Sequence, residues 1–270
     1  MMILVVLPPF YFNRNFNSVI GNLSGVLGLI LMFFIVDTIE DNKTRKTIYT
    51  NNKLLIPFSA IFLLHVSYLF LVNTKAFDNF TSFLYRIGLN IPGYYDLFCY
   101  LVLLVSFISI YLFGIRFSNF NWDINKKEFK GILLASIVRH LPFILVSLFI
   151  YKNGALTLPK LEILSFIAVF IRTFLYPAFY EEFLYRGLFF SLLGSYNISF
   201  NKINIIQAVV FGLIHVFNFG NQLNMVLFLF TGAHVIAGYT LGLLYQKTKS
   251  LTPCILLHTL IDIYFNFLIV

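Results

Sequence analysis

Glu181, Glu182 and Arg186 stand in the string Tyr180-Glu181-Glu182-Phe183-Leu184-Tyr185-Arg186-Gly187, with apolar residues dense on both sides. A charge at bilayer depth costs from about 3 to more than about 10 kcal/mol, so three within two helical turns require a use. Glu182 and Arg186 are four apart and share one helix face, where the guanidinium can grip the carboxylate with two donors. Glu181 is rotated about 100° from its neighbour, so one carboxylate can serve structure while the other faces a cavity. Two imidazoles follow in later apolar runs, His215 in Phe211-Gly212-Leu213-Ile214-His215 and His258 in Leu256-Leu257-His258-Thr259-Leu260-Ile261-Asp262. Asp262, four residues past His258, can accept from one ring nitrogen and fix its tautomer. Carboxyl and imidazole groups together suit proton transfer near neutral pH. The set Glu181, Glu182, His215 and His258 also holds enough oxygen and nitrogen ligands for Zn²⁺, although no His-Glu-x-x-His string is present.

The elements that must position these groups are membrane helices. The chain of 270 residues is 59% hydrophobic and 11% charged, against about 45–50% and about 25% in soluble domains. That is more apolar surface than a soluble core hides. Apolar runs lie near residues 18–36, 54–72, 97–115, 131–151, 161–180, 203–219, 225–245 and 251–270, the fifth extending through the glutamates to about 193. They approach the ~20 residues that cross hydrocarbon as a helix and are too long and continuous for barrel strands. The fold class is therefore all-α, a polytopic membrane protein of about eight transmembrane helices. The stretch Met1 to Phe12, interrupted by Pro8-Pro9 and without a basic flank, reads as a partial or interfacial segment.

The formal charge of +8 does not point to nucleic acid, because Lys and Arg sit in short loops between apolar runs. Lys43, Arg45, Lys46, Lys53, Arg116, Lys126, Lys127, Lys130, Lys202, Lys247 and Lys249 fall on one side, leaving few on the other. The positive-inside rule puts that side in the cytoplasm and both termini outside it. The polar loop Ser118 to Lys130 carries the single Trp122 and reads as a boundary between accessory helices (1–130) and a catalytic core (131–270). Gly21, Gly25 and Gly28, and Ala233, Ala237, Gly238 and Gly242, mark helix faces where backbones approach closely. Cys99 and Cys254 read as packed thiols. His65, Arg139, His140, Arg172 and His234 read as structural, His234 bonding a neighbouring helix, with a place in the cavity as its less favoured alternative.

Glu-Glu-x-x-x-Arg, then Phe-x-x-x-His, then His-x-x-x-Asp, in that order within apolar runs between Ile171 and Asn266, resembles the CAAX-protease and bacteriocin-processing (CPBP, or Abi) family of intramembrane proteases. The string from Ser250 to His258 looks like that family's last motif. The resemblance implies an eight-helix α-fold with a polar cavity open to the cytoplasmic side, and hydrolysis of peptide bonds near the membrane. It makes Glu181 the general base that activates water, helped by His215. It places His258 and Asp262 as the pair that stabilises the oxyanion, and gives Glu182 and Arg186 the shaping of the site. The family takes Asn or Asp at the last position, and an ionised Asp262 would repel an oxyanion. Asp262 is then protonated, or orients His258 from behind, or binds something positive.

The expected protein is an intramembrane peptidase of a bacterial plasma membrane, acting on small peptide precursors or membrane proteins, with no cofactor and no nucleic-acid partner. Zinc held by Glu181, Glu182, His215 and His258 is the less favoured mechanism. A non-catalytic bacteriocin-immunity or scaffold protein of the same family is the alternative function. A proton-coupled transporter is a third, which calls for inverted repeats that the two halves do not display. From the charge balance, a periplasmically active reporter fused after Val270 is expected to be active and a cytoplasm-dependent reporter inactive.

Overall fold

A computed structural model of the chain describes residues 16–45, 50–71, 74–87, 94–152, 163–216 and 225–267. Met1 to Phe12 lies outside them, as does the side chain of Cys99. Among the described residues the fold is all helical, without strands. The helices are α1 (Phe16–Asp37), α2 (Leu55–Leu71), α3 (Lys75–Arg86), α4 (Tyr94–Leu112), α5 (Lys126–Lys152), α6 (163–194), α7 (Phe200–Ile214), α8 (Met225–Thr248) and α9 (Leu251–Phe267). Among the described residues each expected apolar run overlaps a helix, and α3 is an additional element in a stretch read as a loop. Three stretches are long and apolar enough to cross a membrane, Asn52–Leu71, Lys126–Val146 and Phe228–Thr248; Leu23–Asp37, Tyr100–Leu112, Phe200–Ile214 and Leu251–Ile263 are apolar but shorter.

The fifth run is not one unbroken span. Tyr176 precedes Pro177, whose ring drives the preceding residue out of the α region, and Tyr176 has extended backbone (φ −150°, ψ 125°). The break separates Ile163–Thr173 from a second half that carries the glutamates. Phe183–Phe189 within that half winds with the wider π pitch, a local irregularity frequent at functional sites. Every residue from Tyr180 to Leu192 except Phe189 is buried. A helix buried around its whole circumference belongs in the middle of a bundle, and the second half of α6 fills that place. α2, α7 and α9 pack on it; α1 packs on α5 and α8, and α7 on α8.

Small residues set the closest approaches. A Cβ at Gly28 would collide with the Arg139 carbonyl of α5, one at Gly212 with the Val235 side chain of α8, and one at Gly242 with the Asn204 amide of α7. Gly28 and Gly242 belong to the expected small-residue faces. Gly25 has open space within 4 Å and makes no such approach. Cys254 is buried and free.

The loops expected on one side of the membrane meet on one face. Arg45 donates to Asp123 Oδ2 (2.8 Å), to Glu128 Oε2 (2.7 Å) and to the carbonyl of Thr248 (2.5 Å). The Asn42 N–H donates to the Lys247 carbonyl (2.7 Å), and the Asn121 amide to that of Lys249 (2.7 Å). Trp122 stacks on Phe179 and Phe183 at 5.8 and 6.2 Å, so the 118–130 loop is docked onto α6. The side chains of Arg45 and Glu128 are 5% and 3% exposed, and removing one partner of such a pair strands the other charge. Arg45→Ala is expected to lower stability by about 3 kcal/mol or more, read as a lower thermal midpoint in detergent. Lys127→Ala, which breaks the open Lys127–Glu40 pair, is expected to leave the midpoint unchanged.

Candidate active site

The second half of α6 brings Glu181, Glu182 and Arg186 into the middle of the bundle, where they are 2%, 0% and 0% exposed. Both glutamates therefore face protein, not lipid. Glu182 Oε1 accepts from Arg186 Nη1 at 2.8 Å and from His258 Nδ1 of α9 at 2.7 Å. The two-donor grip of Arg186 on Glu182 expected from their spacing does not form. The second guanidinium nitrogen, Nη2, donates instead to the Gly238 carbonyl of α8 at 2.7 Å, because that helix lies close enough to offer an acceptor. Gln207 of α7 donates to the same carbonyl at 2.8 Å, and Asn204 to the Tyr239 carbonyl at 3.0 Å. The guanidinium also sits 5.3 Å from the Phe211 ring centroid, a cation–π distance. Arg186 thus joins α6, α7 and α8.

Glu181 stands apart from this network. Its Oε2 lies 3.9 Å from His258 Nε2, beyond direct hydrogen bonding and within the span that one water bridges. Asp262 Oδ2 lies 3.4 Å from the same nitrogen. Since Nδ1 donates its proton to Glu182, the Nε2 edge of His258 faces two carboxyl groups, Asp262 and Glu181. Asp262 keeps some solvent contact, its side chain being 18% exposed.

His215 ends α7 on the other side of Phe211. Its Nδ1 donates to the Phe211 carbonyl at 2.7 Å, which leaves Nε2 as the lone-pair nitrogen of the neutral ring. Among the described residues it makes no direct hydrogen bond to Glu181. Phe211 separates the imidazoles, with centroids 4.6 Å from His215 and 6.2 Å from His258. His234 meets its neighbouring helix by ring stacking and not by the expected bond. Its Nδ1 donates to Phe230 of its own helix at 2.8 Å, and its ring stacks on His215 at 4.1 Å and 24°. His140 makes the inter-helix contact expected of a structural residue, with Nε2 3.3 Å from the Ile261 carbonyl.

Among the described residues no three His, Cys, Asp or Glu side chains gather as a cation site, and Glu182 Oε1 is taken by Arg186 and His258. The residues that sequence reasoning passed over are Asn204 and Gln207, whereas His234 was read as structural. Two amides three apart in the apolar run from Ile203 to Ile214 were the available signal for the first two.

Arg186→Leu removes the cation and leaves Glu182 buried beside a single imidazole. A loss of about 3–5 kcal/mol is expected, measured by thermal unfolding in detergent. Arg186→Lys retains the charge without the planar fork and is expected to fall between the two.

No curated protein and no solved structure matches the chain. A family model does match, over residues 163–264, a stretch that begins with α6 and ends within α9. All six residues singled out as a site lie within it. The resemblance read from Glu181-Glu182-x-x-x-Arg186, Phe211-x-x-x-His215 and His258-x-x-x-Asp262 is thereby to a defined group of membrane proteases, and residues 163–264 are similar to the type II CAAX prenyl endopeptidase Rce1-like family.

Proposed function

We propose that this protein is an intramembrane endopeptidase that cleaves small peptide precursors or membrane proteins, in a bacterial plasma membrane that all its helices except α3 cross. Glu181 carries the reading. It is a carboxyl group buried at 2% exposure that is left out of the Arg186 network and stands 3.9 Å from an imidazole nitrogen. A carboxylate fully committed to an arginine is a poor base, whereas one kept apart from it keeps its lone pairs for a substrate water.

In this mechanism Glu181 takes a proton from water, and the oxygen attacks the scissile carbonyl carbon. The π electrons of that carbonyl move onto its oxygen, which becomes the oxyanion. His258, held by Glu182 at Nδ1, acts as the imidazolium, with an N–H on both ring nitrogens, and donates from Nε2 to the developing charge. Asp262, 3.4 Å from that same nitrogen, is not behind the ring; it balances the positive imidazolium, the third of the three roles open to it. When the tetrahedral intermediate collapses the carbon–nitrogen bond breaks, and the proton held by Glu181 passes to the leaving amine. His215 assists with its Nε2 lone pair, and His234 and Phe211 hold its ring in place. The preorganised donor at the oxyanion and the positioned base are the two sources of rate. The helices before residue 131 act as accessory walls in this reading.

Small secreted peptides are compared between cells with the native protein, without it, and with Glu181→Ala. The peptides lost on deletion are expected to be lost as well in Glu181→Ala, processing falling at least about 100-fold at unchanged protein abundance. Full processing by Glu181→Ala would instead identify a non-catalytic immunity or scaffold protein.

A further inference from the structure

Helix α3 is the part of the molecule that neither the active site nor the apolar spans account for. It begins at Lys75, four residues after α2 ends at Leu71, and α4 begins at Tyr94. Its ends are therefore held at one membrane surface. With 12 residues it is about 18 Å long, too short for a hydrocarbon core of about 30 Å. It also carries Lys75, Asp78 and Arg86, which exclude it from that core.

Its two faces are sharply different. At 100° per residue, Lys75, Asp78, Asn79, Ser82 and Arg86 fall on one side. Phe77, Phe80, Phe83, Leu84 and the following Ile87 fall on the other. The apolar side is itself divided. Phe77 is buried, at 7% exposure, whereas Phe80, Phe83 and Ile87 are 44%, 52% and 55% exposed. One flank thus packs into the protein. The other presents two phenylalanines and an isoleucine outward, at the level where a membrane helix has just ended.

We infer that α3 lies in the plane of the bilayer interface, with Phe80, Phe83 and Ile87 inserted among the upper acyl segments and the Asn79–Ser82–Arg86 side in water. The partner is the lipid surface itself. A helix with a strong polar face and low net hydrophobicity takes this position because each face then meets the medium that suits it. α2 runs from the face that holds Arg45 and Lys247 to the opposite one, so α3 rests on the leaflet away from those charges. The positive-inside balance makes that the outer leaflet. The insertion is independent of whether the protein cleaves peptides.

The test places single spin labels in the full-length protein, in nanodiscs of phosphatidylcholine and phosphatidylglycerol. Labels at Phe80→Cys and Phe83→Cys are compared with labels at Asn79→Cys and Ser82→Cys, the parent protein giving the background from native cysteines. At 80 and 83, collisions with dissolved oxygen are expected to be several-fold more frequent than with a water-soluble nickel chelate, and the preference is expected to reverse at 79 and 82. Nickel access at 80 and 83 equal to that at 79 and 82 would overturn the inference, leaving the face in water. Exclusion of both reagents from 80 and 83 would overturn it too, with a protein contact in place of lipid. A second reading keeps the native cysteines. The added fluorescence of Phe83→Trp over the parent is expected to be quenched by lipids brominated in the upper acyl chain, and its insensitivity to them would count against insertion.

Discussion

The constraint on which the rest of the structure depends is the burial of Arg186. A guanidinium at 0% exposure tolerates such a place only when its donors meet acceptors and its charge meets an opposite one. Glu182 supplies the charge from the same helix, and the Gly238 carbonyl supplies the second acceptor from α8. The glycine is part of the reason: a bare Cα there packs against Ala208 and Phe211 of α7, so the helices sit near enough for the side chain to cross. Glu182 then passes the constraint on, since the oxygen that binds Arg186 also binds His258 on α9. One cation thus fixes the mutual placement of α6, α8 and α9. Buried pairs of this kind add little net stability over an apolar replacement; here the pair sets geometry.

The division of labour between the adjacent glutamates follows from the same constraint. Both are surrounded by protein because the second half of α6 is the central helix. Only Glu182 points at the cation. Glu181, a third of a turn away, is left to the Nε2 edge of His258. Two identical side chains next to each other in sequence thereby acquire different environments, one saturated with hydrogen bonds at one oxygen and one without a direct partner at the imidazole it faces.

Much of this was legible in the residues. Hydropathy located the helices, because lipid demands long apolar runs whose length has a physical floor. The cost of charge in hydrocarbon pointed to the cluster, because Glu181, Glu182, Arg186, His258 and Asp262 could be tolerated only by meeting one another, as they do. The rest depended on tertiary detail. Spacing alone made Arg186 a two-donor partner of Glu182, and the nearby Gly238 carbonyl changed that. His234 was one histidine among several in apolar runs, and its stacking on His215 depends on how α7 and α8 are rotated. The break at Tyr176 was foreshadowed by Pro177 but masked by continuous hydropathy. α3 was overlooked because its mixture of Phe with Lys, Asn and Ser reads as a loop when apolar length is the only criterion.

The contacts of Arg45 carry a consequence for biosynthesis. Its acceptors Asp123 and Glu128 lie 78 and 83 residues later in the chain, and the Thr248 carbonyl 203 residues later. A nascent chain emerges from its N-terminus, so this one arginine acquires its acceptors in stages. The acidic ones become available first, and the last only once the end of α8 has been synthesised. Arg45 thus completes its contacts only after α8 has been made.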